Sequence, residues 1–176
     1  MMICINVAVD SPTLYQYVLL HSKYNLTQEK DNSSDDFYVA DQQQLTSIPI
    51  NVKNLHFCHF NQPLDMFTID NNTFCSLRSI HIGVNSVFNV WKFVIEGLPS
   101  LIEISIGNNC HTRNHETMRN DGLFRVMDCP MLCRLKIAND CFNNFKEFGL
   151  SNLPSLQLLD IGNNCFLHSD FIVKGM

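Results

Sequence analysis

The amino-acid sequence predicts a mainly β solenoid, with short parallel strands on a concave and a convex side and little helix. Three observations carry that expectation. The pattern L-x-x-[IL]-x-I-[GA]-x-[ND] starts at Leu77, Leu101, Leu132 and Leu156. The steps from Leu77 to Leu101 and from Leu132 to Leu156 are each 24 residues, and the middle step is 31. Each copy is followed by a Phe-x-aliphatic pair: Phe93 with Ile95, Phe124 with Val126, Phe148 with Leu150, and Phe171 with Val173. A period of this size marks coils that bury their apolar faces by stacking on one another.

Numbering each copy from its first Leu assigns the elements in order. Positions 1, 4 and 6 are Leu77, Ile80 and Ile82; Leu101, Ile104 and Ile106; Leu132, Leu135 and Ile137; and Leu156, Leu159 and Ile161. Positions 4 and 6 are two apart, so a short strand points both inward and the residue between them outward. Position 7 is Gly83, Gly107, Ala138 or Gly162, where the chain must bend without a bulky side chain. Position 9 is Asn85, Asn109, Asp140 or Asn164. These residues are expected to face inward and bond backbone groups of their own and adjacent turns. The Phe-x-aliphatic pairs read as a second short strand. Leu98-Pro99, Cys129-Pro130 and Leu153-Pro154 recur in register after it, at a corner where proline fixes the turn and its missing N–H is not needed.

This register divides the chain. Residues 1–47 are an N-terminal segment and polar linker, weakly ordered or capping. Within it, residues 25–47 are polar and acidic, with Glu29, Asp31, Asp35, Asp36, Asp41 and a run of glutamines, and read as a linker or loop. Residues 48–176 are the solenoid: a degenerate coil over 48–76, carrying Val52, Leu55, Phe57, Phe60, Phe67, Ile69 and Phe74, then units 77–100, 101–131, 132–155 and 156–176.

Composition narrows the function classes. With 45 % hydrophobic and 16 % charged residues in 176, the chain is expected to fold. A formal charge of -5 gives no basic footprint for nucleic acid. No apolar run approaches the roughly 20 residues of a membrane span. The first ten residues lack a basic stretch, and Asp10 interrupts their apolar run, so no signal peptide is read. These points favour the cytoplasm and no membrane insertion. Eight cysteines would suit a disulfide framework, but Cys110, Cys141 and Cys165 align at one register where Ser86 stands in the other copy. That favours reduced thiols acting as compact hydrophobes. Sequons at Asn25, Asn32 and Asn71 carry little weight without a secretion signal.

The four copies resemble the leucine-rich repeat, with signature L-x-x-L-x-L-x-x-N-x-L. Leu77, Ile80, Ile82, Asn85 and Val87 match it, as do Leu156, Leu159, Ile161, Asn164 and Phe166. The Leu132 copy has Asp140 in place of Asn, and the Leu101 copy has His111 at the last apolar place. The fuller unit looks like the long repetitive leucine-rich repeat proteins of protists. The resemblance covers residues 77 to 176, and more loosely from 48. It implies a curved solenoid whose concave sheet binds another protein, with no cofactor and no catalysis. It names no partner.

Function is sought where the register leaves residues unexplained. Outward positions on the concave strands carry Ser79 and His81, Glu103 and Ser105, Arg134 and Lys136, and Leu158 and Asp160, with Arg78 at position 2. This mixed-charge strip reads either as a partner surface or as an ordinary solvated face, with no aromatic anchor on it. The longer middle unit inserts a loop with Arg113, His115 and Arg119, ending at the turn signal Asn120-Asp121-Gly122. Such loops can bind, and they are also readily tolerated insertions. His56-Phe57-Cys58-His59 with Cys75 invites a zinc reading, but the spacing fits no ligand pair and the residues lie in an apolar-periodic coil. No Cys-His arrangement supplies a base and an orienting group, and no glycine loop could cradle phosphate. The chain is therefore expected to be no enzyme but a protein-interaction module. The alternative is a structural or surface-adhesion array, a spacer, or a fragment of a longer repeat protein. The sequence stops at Phe171–Met176 inside the pattern without a polar cap, so self-association through an uncapped last coil is also expected.

Overall fold

In the computed structural model, residues 7–10, 15–17, 35–60, 64, 66–70, 74–87, 89–110 and 122–176 are described. The chain is mainly β. β1 (Val7–Asp10) and β2 (Tyr15–Tyr17) form a separate antiparallel pair. The remaining strands alternate between two sheets along the chain. One holds β3 (Asp36–Val39), β4 (Asn54–Phe57), β6 (Ser79–Ile82), β8 (Glu103–Ile106), β10 (Arg134–Ile137) and β12 (Leu158–Ile161), side by side in that order. The other holds β5 (Met66–Asp70), β7 (Lys92–Glu96), β9 (Gly122–Met127), β11 (Phe145–Ser151) and β13 (Asp170–Lys174). Every pairing within these two sheets is parallel. Among the described residues the only α-helix is α1 (Gln42–Leu45).

Equivalent positions of the motif copies lie next to one another. Leu55, Ile80, Ile104, Leu135 and Leu159 form one row across the six-stranded sheet, and Phe57, Ile82, Ile106, Ile137 and Ile161 another. Both rows are buried as far as β10. From the five-stranded sheet a phenylalanine column faces them. Phe67, Phe93, Phe124 and Phe148 stack nearly parallel, with centroids 4.8, 5.0 and 5.2 Å apart. Phe57 meets Phe67 edge-on at 5.2 Å, which joins the two sheets through one apolar core.

The corners follow from local chemistry. Leu101, Leu132 and Leu156 donate their N–H groups to Leu98, Cys129 and Leu153, closing three-residue-offset turns that hold Pro99, Pro130 and Pro154. Proline suits the second place of such a turn. Just before each corner the backbone is left-handed, at Gly97, Asp128 and Asn152, residue types that tolerate it. At the opposite bend Gly107 approaches the preceding turn so closely that a Cβ would lie 2.8 Å from the Val84 nitrogen.

Two expectations need correction. Of the stretch 25–47 only residues 35–47 are described, and these are not a linker: β3 pairs in register with β4, and α1 follows with Asp41 as its N-cap, the carboxylate accepting from the Gln44 N–H at 2.8 Å. Phe37 and Val39 point to the core while Asp36 and Tyr38 face out, so an outer strand looked polar. The position-9 residues do not face inward either. Asn85, Asn109, Asp140 and Asn164 are left-handed, with φ from 54° to 60°, and lie toward solvent. The inward polar contact comes one residue later: the thiols of Cys110, Cys141 and Cys165 donate to the carbonyls of Gly83, Gly107 and Ala138 at 3.0, 3.1 and 3.0 Å.

Candidate partner-binding face

Because side chains alternate along a strand, in-register pairing sorts the outward residues of the six-stranded sheet into two rows. One row runs Asp36, Asn54, Ser79, Glu103, Arg134, Leu158; the other runs Tyr38, His56, His81, Ser105, Lys136, Asp160. The sequence strip thus gains Asp36, Tyr38, Asn54 and His56 from β3 and β4.

The face differs along its length. At the β3 end Tyr38 stacks on His56 at 4.7 Å, and His56 on His81 at 5.0 Å, with rings within 17° of parallel. His56 Nε2 lies 3.1 Å from an Asp36 carboxylate oxygen, and this hydrogen bond holds the Asp36 carboxyl below its usual pKa. Burial, and then the neighbouring His56, hold the His81 pKa down. Lys53 pairs with Asp35 at 2.7 Å beside them. Ser79 donates to Asn54 at 2.8 Å. Further along, Arg134 Nε and Nη2 donate to one Glu103 oxygen at 3.1 and 2.8 Å, which lowers the Glu103 pKa. Lys136 and Asp160 are register neighbours on β10 and β12. Beyond the strip of the four motif copies, which carries no aromatic side chain facing out, β3 adds Tyr38, which is 56 % exposed. Its only sequence signal was the alternation Phe37-Tyr38-Val39 inside an acidic stretch.

Of the residues singled out by sequence, Glu103 and Arg134 are ion-paired, His81 joins the ring stack, and Lys136 and Asp160 sit on adjacent strands. Arg78 is exposed just before β6, and its carbonyl accepts from Ile102 and Glu103. Arg113, His115 and Arg119 lie outside the described residues. The zinc candidates are not assembled. His56 faces outward on β4, His59 sits in a left-handed bend and Cys75 lies exposed at a corner. Among the described residues no group of three or more His, Cys, Asp or Glu could hold a metal ion.

The seven described cysteines are free thiols. Burial pushes the Cys129 thiol up to about 11, and a hydrogen bond to Cys110 together with burial pushes Cys141 up as well. Neutral thiols of this kind are poor nucleophiles. On the opposite sheet Arg125 is held by Glu147 at 2.7 Å, and both line a shallow depression together with Gly122, Leu123, Lys146, Asp170 and Ile172. No helix among the described residues is long and apolar enough to cross a membrane.

No family model, curated protein or solved structure matches the chain.

Proposed function

We propose that the chain is a non-enzymatic leucine-rich-repeat solenoid that binds another protein through the outward face of the six-stranded sheet. One observation carries this reading: two unbroken rows of outward side chains cross six in-register strands, from Asp36 to Leu158 and from Tyr38 to Asp160. A rigid, parallel-stranded scaffold holds those groups at fixed spacing, and the ion pair and ring stack hold several of them in one rotamer. Pre-ordered side chains lose less entropy on binding. The 24-residue sequence period and the alternation of strands between two sheets support the solenoid part of the proposal.

The test is affinity capture with the purified wild-type chain beside a variant reversed in charge at Glu103, Arg134 and Lys136. A specific partner held by the wild type and lost by the folded variant is the expected result. The same proteins captured by both would count against the face.

A second reading, a structural array joined through coil ends, rests on the exposure of Phe171 and Val173 on β13. It predicts concentration-dependent association in light scattering that Phe171→Glu or Val173→Glu abolishes. A chain that stays monomeric at every concentration would exclude it.

A further inference from the structure

We infer that the outer side of β12 and β13 is a docking surface for a coil of the same motif, carried by a partner protein and entering parallel to those strands. The inference rests on the solenoid part of the proposed reading and is independent of the outward face of the six-stranded sheet.

Leu159 on β12 and Phe171 and Val173 on β13 are exposed, and among the described residues each of these strands has one neighbour. The bend that follows β12 specifies what fits beside them. At two successive earlier bends, three groups of one coil engage the next coil. The Gly107 carbonyl accepts from the Cys141 thiol at 3.1 Å, and the Asn108 Oδ1 accepts from the Asn139 N–H at 3.0 Å. The Asn109 N–H donates to the Asn139 carbonyl at 3.0 Å. Ala138, Asn139 and Asp140 repeat the set with Cys165 and Asn163, at 3.0, 2.8 and 2.9 Å. Gly162, Asn163 and Asn164 hold the same places after β12, and Asn164 has the same left-handed backbone as Asn109 and Asp140. Among the described residues nothing engages the Gly162 carbonyl, the Asn163 Oδ1 or the Asn164 N–H.

A parallel coil of the motif meets all three at once. Its position 8 brings a backbone N–H and a carbonyl, and its position 10 brings a thiol or hydroxyl donor. Its inward aliphatic residues cover Leu159 and Ile161, and its phenylalanine packs on Phe171 from the side opposite Phe148, whose ring centroid lies 4.9 Å away. A lone extended strand would pair with β12 or β13 but leave the bend unmet. Two copies of this chain joined at this end by a twofold axis would pair the strands antiparallel. That lays the bend of one copy over the proline corner of the other, so the three groups again go unmet. The partner is therefore a protein that presents the preceding-coil side of such a coil.

The experiment titrates the full chain, under reducing conditions, into a labelled synthetic peptide that copies residues 130–155. That peptide carries Asn139 at position 8, Cys141 at position 10 and Phe148. Fluorescence anisotropy reads the affinity, and hydrogen exchange reads where the peptide sits. The peptide should bind and slow exchange in β12 and β13 but not in β4. The same peptide lacking Lys136 should not bind, because a one-residue slip turns its inward side chains outward. Cys141→Ala in the peptide should weaken binding by about fivefold, the worth of one net hydrogen bond, and Cys141→Ser should weaken it less. Phe171→Glu in the chain should weaken it by about tenfold or more, since a charge would then be buried. No binding of the intact peptide, equal binding of the shortened one, or binding unchanged in a folded Phe171→Glu variant would overturn the docking surface. So would dimers of the chain that the peptide does not dissociate, which would make a second copy the occupant. The variant reversed in charge at Glu103, Arg134 and Lys136 should still bind the peptide, so failure of the six-stranded face and failure of this surface are told apart.

Discussion

Leu135 and Leu159 occupy the same place in two copies of one motif, yet the first is fully buried and the second is 40 % exposed. The same contrast separates Phe148, fully buried, from Phe171, which is 58 % exposed. The strands that carry them pair in register, and the residue types match. What differs, among the described residues, is the number of flanking strands: β10 and β11 have one on each side, while β12 and β13 have one. Burial here is a property of the neighbour as much as of the residue. Each strand pair completes the core of the pair before it, so the same substitution should cost different amounts in the middle and at this end.

The widest separation is expected in the phenylalanine column. Phe124 stacks on Phe93 and Phe148 and meets Phe142 and Phe166 edge-on. Phe124→Ala should destabilise the chain by about 3–5 kcal/mol, the usual cost of emptying a buried phenylalanine site. Phe171→Ala should cost about 1 kcal/mol or less, as expected for a largely exposed side chain. Urea denaturation of the two variants measures the difference; equal losses would show that β13 is packed as firmly as β9.

The inward thiols give a finer test. Cys141→Ala removes a fully buried donor from the Gly107 carbonyl, and Cys165→Ala removes a half-buried one from Ala138. A loss of about 1 kcal/mol is expected for the first and less for the second. Cys110→Ser should be better tolerated than Cys110→Ala, because Ser86 already fills that register, fully buried. Urea denaturation of the four variants reads these differences.

The smallest effect is a pH dependence. Burial and His56 lower the His81 pKa from 6.5, so the unfolded chain takes up a proton at this residue more readily than the folded one. Its stabilising share is present above pH 6.5 and is lost as the pH falls from there toward the lowered folded value. Wild type should therefore lose more stability between pH 7.5 and 5.5 than His81→Asn does. An equal pH slope in both would place the titration elsewhere.

How much of this was legible follows from what periodicity can encode. Ile80 and Ile82, or Phe93 and Ile95, sit two apart, and alternation along a strand then dictates which way each points. The two parallel sheets and the near absence of helix follow from that pattern. Periodicity cannot say which way a side chain faces once the backbone turns left-handed. For this reason Asn109 faces solvent where an inward side chain was expected, while the buried Cys110 beside it also donates to a backbone carbonyl. The outer strand was harder still. Half of β3 faces solvent, and Asp35, Asp36 and Asp41 around it made the segment look like a linker. With β3 unseen, Tyr38 and the stack on His56 were unseen too. His56 instead drew attention as a metal ligand, because sequence proximity hides that β4 ends at Phe57 and that His59 sits in a left-handed bend beyond it.

The proposed binding face is tested most directly by exchanging its ion pair. Glu103→Arg together with Arg134→Glu keeps an opposite-charge pair across β8 and β10 while inverting the charge at each point. The thermal unfolding midpoint should stay close to that of the wild type, and the partner captured by the wild type should be lost. Capture undiminished by a folded exchange variant would contradict the account.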